Sequence, residues 1–319
     1  LFRQLFERGY IFFMDYFDLH CDTATEIYKK KSGLDGEDFN VTLQKTDAYG
    51  RFAQVFAVWI DDSLRGEPAW EYFCNVSDYF KNEIKKHTGR ILFCRTPGGL
   101  REAYGTKRKA ALLSIEGGAA LAGNIGNVGK AYEKGVRLLT LTWNGKCELG
   151  CGCMCGDGGG LTGFGKDTVR EMQSFNMVVD VSHLSEKGFW DVARVAKRPF
   201  TATHSDSKAV CKVNRNLTDA QFTEIARGGG IVGINMCAGF LGGASGVEAA
   251  LKHIGHFLDL GGEKAVAVGA DFDGCTLPAD INGADSMVKL YGGICGSFGK
   301  ETADDIFYNN AYNFFINNI

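Results

Sequence analysis

The chain reads as a single-domain α/β protein of the (β/α)8, or TIM-barrel, class, and three observations predict it. Eight short apolar runs succeed one another along the sequence, with longer amphipathic segments between most of them. The runs are continuous rather than alternating, as expected of parallel strands covered on both faces. The Gly-rich phosphate turn that would follow the first strand of an open doubly wound sheet is missing. Eight strand–helix units over about 250 residues fit a closed barrel better than a sandwich or an open sheet.

In chain order the expected strands are 16–20 (YFDLH), 52–59 (FAQVFAVW), 110–116 (AALLSIE) and 136–143 (VRLLTLTW). The second half continues with 177–183 (MVVDVSH), 199–204 (PFTATH), 230–236 (GIVGINM) and 265–271 (AVAVGAD). Between the second and third runs, residues 69–87 carry Tyr72, Phe73, Val76, Tyr79, Phe80 and Ile84 at helical spacing. Further helices are expected at 166–175, 185–197, 218–227 and 247–260, with 301–318 closing the chain. Ser185 and Thr218 stand where N-caps belong.

Composition narrows the function classes. A net charge of −3 over 319 residues leaves no basic footprint for nucleic acid or an anionic membrane. No apolar run approaches the roughly 20 residues needed to cross a bilayer. Eleven cysteines without a secretory signal read as reduced thiols in a cytoplasmic protein. Forty-three glycines against four prolines indicate tight turns rather than linkers. Met14 would make a natural initiator, so residues 1–13 read as an upstream extension and 14–319 as the barrel domain.

The chemistry collects at the carboxyl ends of the expected strands, where barrels of this class place their active sites. His20 and Asp22 share one side of an extended strand end because side chains alternate with period 2. Glu116 ends the third run, His183 the fifth, His204 the sixth and Asp271 the eighth, with Asp273 just beyond. Three of the six histidines thus fall on one rim. Imidazoles with carboxylates suit zinc, and less exclusively manganese, iron or cobalt. So many ligands exceed what one catalytic zinc uses, whereas two metals about 3.5 Å apart could share a bridging carboxylate, for which Glu116 is placed.

The motifs LHCDT, AQVFAVW, LLSIEGG, GVRLLTLTWN, GGLTGFG, VVDVSHLS, ATHSDS, NRNLTD and VGADFDG run in this order from about residue 16 onward. Through them the chain resembles the membrane dipeptidase (renal dipeptidase) family of metallopeptidases in the amidohydrolase superfamily. The resemblance implies a binuclear zinc barrel that hydrolyses dipeptides. His20, Asp22 and bridging Glu116 would hold one Zn2+, and Glu116, His183 and His204 the other. Asp271 would be the acid/base carboxylate exchanging protons with a bridging hydroxide and the leaving amine. Arg215, in NRN, would grip the dipeptide's terminal carboxylate, a task its planar fork suits. A homodimer is implied by the family in the same way.

Two departures stand out. Where the best-known animal members carry a histidine after the LTLT run, this chain has Trp143 and then Asn144. The expectation is that Trp143 lines the substrate pocket and Asn144 donates a hydrogen bond to the substrate. Animal members are also secreted and lipid-anchored, whereas neither signal is read here, which points to the cytoplasmic, bacterial type. The nearest alternative is another metal-dependent amidohydrolase, acting on N-acyl amino acids or cyclic amides. A non-catalytic metal-binding barrel is a third reading.

Cys147, Cys151, Cys153 and Cys155 crowd one glycine-rich loop, but their spacing matches no common zinc or iron–sulfur pattern, so reduced thiols are expected. His253 and His256, at i and i+3 on a helix, could pair on a metal, though a solvated or capping role is the simpler reading. His87 reads as a helix C-terminal residue, where a cation suits the dipole. The run at 156–160 has no Lys-Ser/Thr behind it and is not a phosphate loop.

Overall fold

The first two apolar runs become β1 (Tyr16–Cys21) and β2 (Phe52–Trp59), buried along nearly their whole length. A three-residue strand β3 (Ile91–Phe93), too short to register as an apolar run, precedes β4 (Lys109–Glu116). Then come β5 (Val136–Thr140), β6 (Val178–Asp180), β7 (Val232–Ile234) and β8 (Val266–Val268). The computed structural model describes residues 14–156, 158–243 and 245–319, so the expected extension at 1–13 lies outside the described residues.

The strands pair in parallel in the order β6-β5-β4-β2-β1-β8-β7, with β3 beside the start of β4. This corrects the expected closed (β/α)8 barrel: the regular sheet is curled but open, a half-barrel with its edges 10 Å apart. The sixth expected strand, 199–204, is the reason. It forms no regular strand and touches its neighbours through single bridges, Thr201 to Asp180 and Ala202 to Val232. Pro199 brings no amide donor to that segment; the Thr201 and Ala202 amides still reach the Val179 and Ile231 carbonyls at 3.0 and 3.1 Å, and side chains add further joins. The Asp180 carboxylate accepts from the Thr203 amide at 2.9 Å and its hydroxyl at 2.6 Å, while the Thr201 hydroxyl donates to the Ile231 carbonyl at 2.6 Å. Thr203 runs so close to β7 and β8 that a Cβ at Gly233 or Gly269 would stand 1.9 or 1.7 Å from its carbonyl oxygen.

Helices fall close to the expected places. Gly66–Lys86 buries Phe73, Val76, Phe80 and Ile84, the stripe read from the sequence. The Ser185 hydroxyl caps Glu186–Val195, and Thr218 forms a reciprocal capping box with Gln221 at the start of Asp219–Arg227. The closing segment 301–318 is two α-helices, Lys300–Asp304 and Asn310–Asn318, joined by a π-helical turn at Asp305–Asn309. Its Tyr308, Phe314 and Phe315 pack with Phe17, Val55 and Leu112 of the sheet, Phe315 stacking on Phe17 at 5.1 Å. Among the described residues no helix is long and apolar enough to cross a membrane.

Candidate metal centre

All the expected ligands arrive at the carboxyl end of the sheet. On β1 a bulge sets residues 18–21 opposite 54–56 of β2. It breaks the alternation, so that Leu19 joins the inner apolar cluster while the next residue, His20, still faces the site. Cys21 turns into the main core, as its place between two proposed ligands requires. Asp22 lies one residue past β1, Glu116 ends β4, His183 follows β6, His204 ends the 199–204 segment and Asp271 follows β8.

Six side chains converge. The Glu116 carboxylate sits at their centre, with Oε1 2.8 Å from His183 Nε2 and 3.4 Å from His204 Nε2. Its other oxygen, Oε2, faces His20 Nε2 at 3.7 Å. Asp22 Oδ2 and Asp271 Oδ1 lie 3.7 and 3.9 Å from that same His20 nitrogen. His20 stacks on His204 with ring centroids 3.7 Å apart, and His183 Nε2 lies 3.0 Å from His204 Nε2. Three ligand triads can be drawn: His20/Asp22/Glu116, Glu116/His183/His204 and His20/His204/Asp271.

Electrostatics favour a cation here. Burial, together with Glu116, pushes the Asp22 carboxyl up to about 6. Burial, with Asp22 and Glu116 adding repulsion, pushes Asp271 up to about 7 against the pull of His20. Burial and the nearby Arg215 charge press His183 down to about 4, so its imidazole is neutral, the form that binds metal. Burial alone would raise Glu116, but His20 and His183 outweigh it and hold the carboxyl well below its ordinary range. Both ring nitrogens of His20 and Asp22 Oδ1 are buried without a hydrogen-bond partner, a state that costs free energy unless a ligand meets them. Buried imidazoles and carboxylates with unmet lone pairs fit a divalent metal site.

Residues that sequence reasoning did not single out hold this cluster in place. Asp18 Oδ1 accepts from the amides of His20 and Ala270, tying β1 to the end of β8, while Tyr16 donates to its Oδ2 at 2.6 Å. Asp180 does the same between β6 and the Thr203 amide. A signal for both existed, an aspartate two or three residues before a strand-end histidine (Asp18 and His20, Asp180 and His183). Asn235 donates to Asp271 Oδ2 at 3.0 Å and to the His204 carbonyl, and nothing in the sequence pointed to it. His183 and Asp271 have left-handed backbones (φ 63° and 60°), a conformation costing about 1–2 kcal/mol for a non-glycine residue. Gly274 is required by contact, since a Cβ there would stand 2.0 Å from Asp22 Oδ2 and 2.6 Å from Asp271 Oδ1.

The cluster opens into a cavity of about 380 Å3, walled by Trp59, Trp143, Asn144 and Phe240 beside the ligands. Trp143 packs edge-on against Trp59 at 4.9 Å. Asn144 turns its side-chain oxygen to His183 Nδ1 at 2.9 Å, which makes Nδ1 the protonated nitrogen and leaves Nε2 to face Glu116. Arg215 is buried over the Phe240 ring, and its Nη1 donates to the Ser205 hydroxyl at 2.8 Å. Its Nε and Nη2, the edge that grips a carboxylate side-on, have no protein partner.

The cysteine-rich loop acts through its backbone: the Cys153 amide donates to the His183 carbonyl at 2.6 Å and the Ser185 amide to the Cys151 carbonyl at 3.0 Å. Among the described residues none of its thiols enters a group of three metal-capable side chains. His253 and His256 do not pair either. His253 accepts from the Ser207 amide and donates to the Leu241 carbonyl, while His256 meets Asp219 at 2.8 Å. The His87 residue follows the helix Gly66–Lys86 as its C-cap.

A curled parallel sheet carrying buried histidine and carboxylate triads at its carboxyl edge defines a metal-dependent hydrolase. Residues 12–310 match the model of the membrane dipeptidase family, peptidase family M19. The chain is 34% identical to a Klebsiella pneumoniae protein described as an uncharacterized protein in the pqqA 5′ region, over 66% of this chain and 82% of that one. The crystal structure of dipeptidase AC, an M19 metallopeptidase, superposes with a TM-score of 0.89 at 25% identity, covering 96% of this chain and 99% of that one. A Rhodobacter sphaeroides metallopeptidase, liganded with a phosphinate mimic of the dipeptide L-Ala-D-Ala, shares the fold at 24% identity, also with a TM-score of 0.89 and with 96% and 99% of the two chains covered. The chain belongs to the membrane dipeptidase family, and it is a metal-dependent dipeptidase-type hydrolase acting on small peptides.

Proposed function

We propose that the enzyme is a binuclear zinc dipeptidase that demands a free carboxylate at the end of its substrate. The observation that carries this reading is Glu116, whose Oε1 faces His183 and His204 while Oε2 faces His20. Such a carboxylate would be shared, with His20 and Asp22 completing one zinc site and His183 and His204 the other. Bound there, zinc supplies Lewis acidity, polarising a carbonyl and making water acidic enough to yield a nucleophile at neutral pH.

The chain's own residues divide the remaining work. Asp271, raised to about 7 by burial and its carboxylate neighbours, can take up a proton at Oδ1 and return it to a leaving amine near neutral pH. Asn235 holds the other oxygen and so fixes which one exchanges the proton. Arg215 offers Nε and Nη2 to the substrate carboxylate, and Trp143 with Trp59 shapes the wall against which a side chain would lie. Asn144 serves His183 through its oxygen, which leaves its amide nitrogen as the group that could reach a substrate.

Metal analysis of the zinc-loaded protein, with a panel of dipeptides and their C-terminal amides, tests the reading. L-Ala-D-Ala belongs in the panel because a protein of the same fold binds its mimic. Two equivalents of zinc are expected, with free dipeptides preferred over amides by at least about 30-fold in kcat/KM, the worth of a charge-assisted bidentate pair. One equivalent, or equal rates on both forms, refutes it. Arg215→Ala should raise KM for free dipeptides and leave the amides nearly unchanged.

A further inference from the structure

The cavity wall formed by Trp143 and Asn144 is gripped from behind by two side chains that none of the chemistry above uses. Asp62 and Arg65 belong to the loop between β2 and the helix Gly66–Lys86. Asp62 Oδ2 accepts from the Gly145 amide at 2.7 Å, and Arg65 Nη2 donates to the Lys146 carbonyl at 2.7 Å. The two side chains face each other at 3.7 Å. They thus hold the two residues directly after Asn144, the first by its amide and the second by its carbonyl.

The grip is anchored on both sides. Its own loop begins at the centre, where the Ile60 amide donates to the Glu116 carbonyl at 2.9 Å. Opposite, the Gly152 amide donates to the Gly145 carbonyl at 2.7 Å and the Met154 amide to the Asn144 carbonyl at 3.0 Å. The fit is close. A Cβ on Gly145 would stand 2.8 Å from Asp62 Oδ2, and one on Gly152 would stand 2.1 and 2.4 Å from the Trp143 and Asn144 carbonyl oxygens.

We propose that Asp62 is a positioning residue of the metal centre: by fixing the Gly145 amide it keeps the Asn144 oxygen on His183 Nδ1. The line of contacts is short. Asp62 holds Gly145, and Asn144, one residue earlier, turns its Oδ1 to His183 Nδ1 at 2.9 Å. It reaches across the sheet, from the loop after β2 past Glu116 at the end of β4 to the loops after β5 and β6. A carboxylate suits the outer end, because a charged acceptor holds an amide about twice as strongly as a neutral one. Without that hold Asn144 can swing away, and the His183 ring is free to turn its Nε2 from the Glu116 and His204 atoms it now faces at 2.8 and 3.0 Å.

The test loads the protein with zinc, labels its histidines for nuclear magnetic resonance and follows the ring N–H signals at pH 7 without substrate. In the unsubstituted protein His183 should give one slowly exchanging Nδ1–H signal. Asp62→Ala should speed its exchange with water about tenfold, the worth of one hydrogen bond. Zinc affinity of the metal-free protein should fall about 10-fold in calorimetric titration, and kcat should fall with KM for dipeptides little changed. Asp62→Asn keeps an acceptor for the Gly145 amide and should restore most of all three. Gly145→Ala strikes the same contact from its other side and should behave as Asp62→Ala, so the result does not hang on how one variant folds. An unaltered His183 signal in Asp62→Ala or Gly145→Ala, or an Asp62→Asn protein no better than Asp62→Ala, overturns the proposal. The proposal rests on His183 as a metal ligand, but its N–H signal is read without substrate. Failure of the dipeptide panel and failure of this positioning role are therefore told apart.

Discussion

The two halves of the sheet supply the same centre in different ways. In the β1–β2–β4 half, seven consecutive residue pairs from Ala53–Ala110 to Trp59–Glu116 carry the backbone to Glu116. In the other half β6, β7 and β8 have three residues each, and the segment bearing His204 is not a regular strand at all. There side-chain hydrogen bonds of Asp180, Thr203 and Asn235 supplement a short backbone ladder, and the left-handed backbones of His183 and Asp271 aim the functional groups. A regular ladder delivers one side chain at a place set by strand length. Irregular backbone delivers three from positions a ladder would not reach, and it depends on buried polar contacts to do so.

Substitutions sharpen that contrast. Asp180→Ala leaves the amides of Ser182 and Thr203 and the hydroxyls of Thr140 and Thr203 without their acceptor. Urea denaturation should show a loss of about 3–5 kcal/mol, several unmet buried donors together. A loss under about 1 kcal/mol would mean that the side-chain bridging is dispensable. Gly274→Ala drives a methyl group into Asp22 and Asp271. It should cut kcat/KM about 100-fold with the far-ultraviolet circular dichroism unchanged, since displacement of reacting groups by about 1 Å costs that much. Asn144→Ala frees the His183 tautomer and should weaken divalent-metal affinity by about 10–100-fold in calorimetric titration of the metal-free protein. Asn144→Asp, which keeps an acceptor, should restore most of it. The smallest effect belongs to the regular half: Ser114→Ala removes a 3.3 Å contact to the Phe56 carbonyl from within the long ladder and should cost less than about 1 kcal/mol in the same urea experiment.

Much of the site was legible because strand ends are local features. His20, Asp22, Glu116, His183, His204 and Asp271 each close an apolar run, and parallel strands bring their carboxyl ends to one edge. The bulge in β1 was invisible, yet it did not upset the reading, since it turns His20 to the same site that Asp22 reaches one residue past the strand. Asn144 was expected to serve the substrate, and its engagement with His183 came to light only when the loop after β5 was seen folded against the loop after β6. The closed barrel was the misreading. An apolar run at 199–204 has the composition of a strand, but composition does not report that its Thr201 and Ala202 amides meet neighbouring carbonyls while the Thr203 amide turns to the Asp180 carboxylate.

The sequence by itself determined seven of the eight strands, the main helices between them and the family, because apolar periodicity, capping residues and motif spacing are properties of neighbouring residues. The tertiary structure alone decided where the sheet opens, which oxygen of Glu116 faces which histidine, and that Arg215 Nε and Nη2 stay without a protein partner. These depend on contacts between distant segments, whose geometry is set by packing rather than by any local pattern of residues.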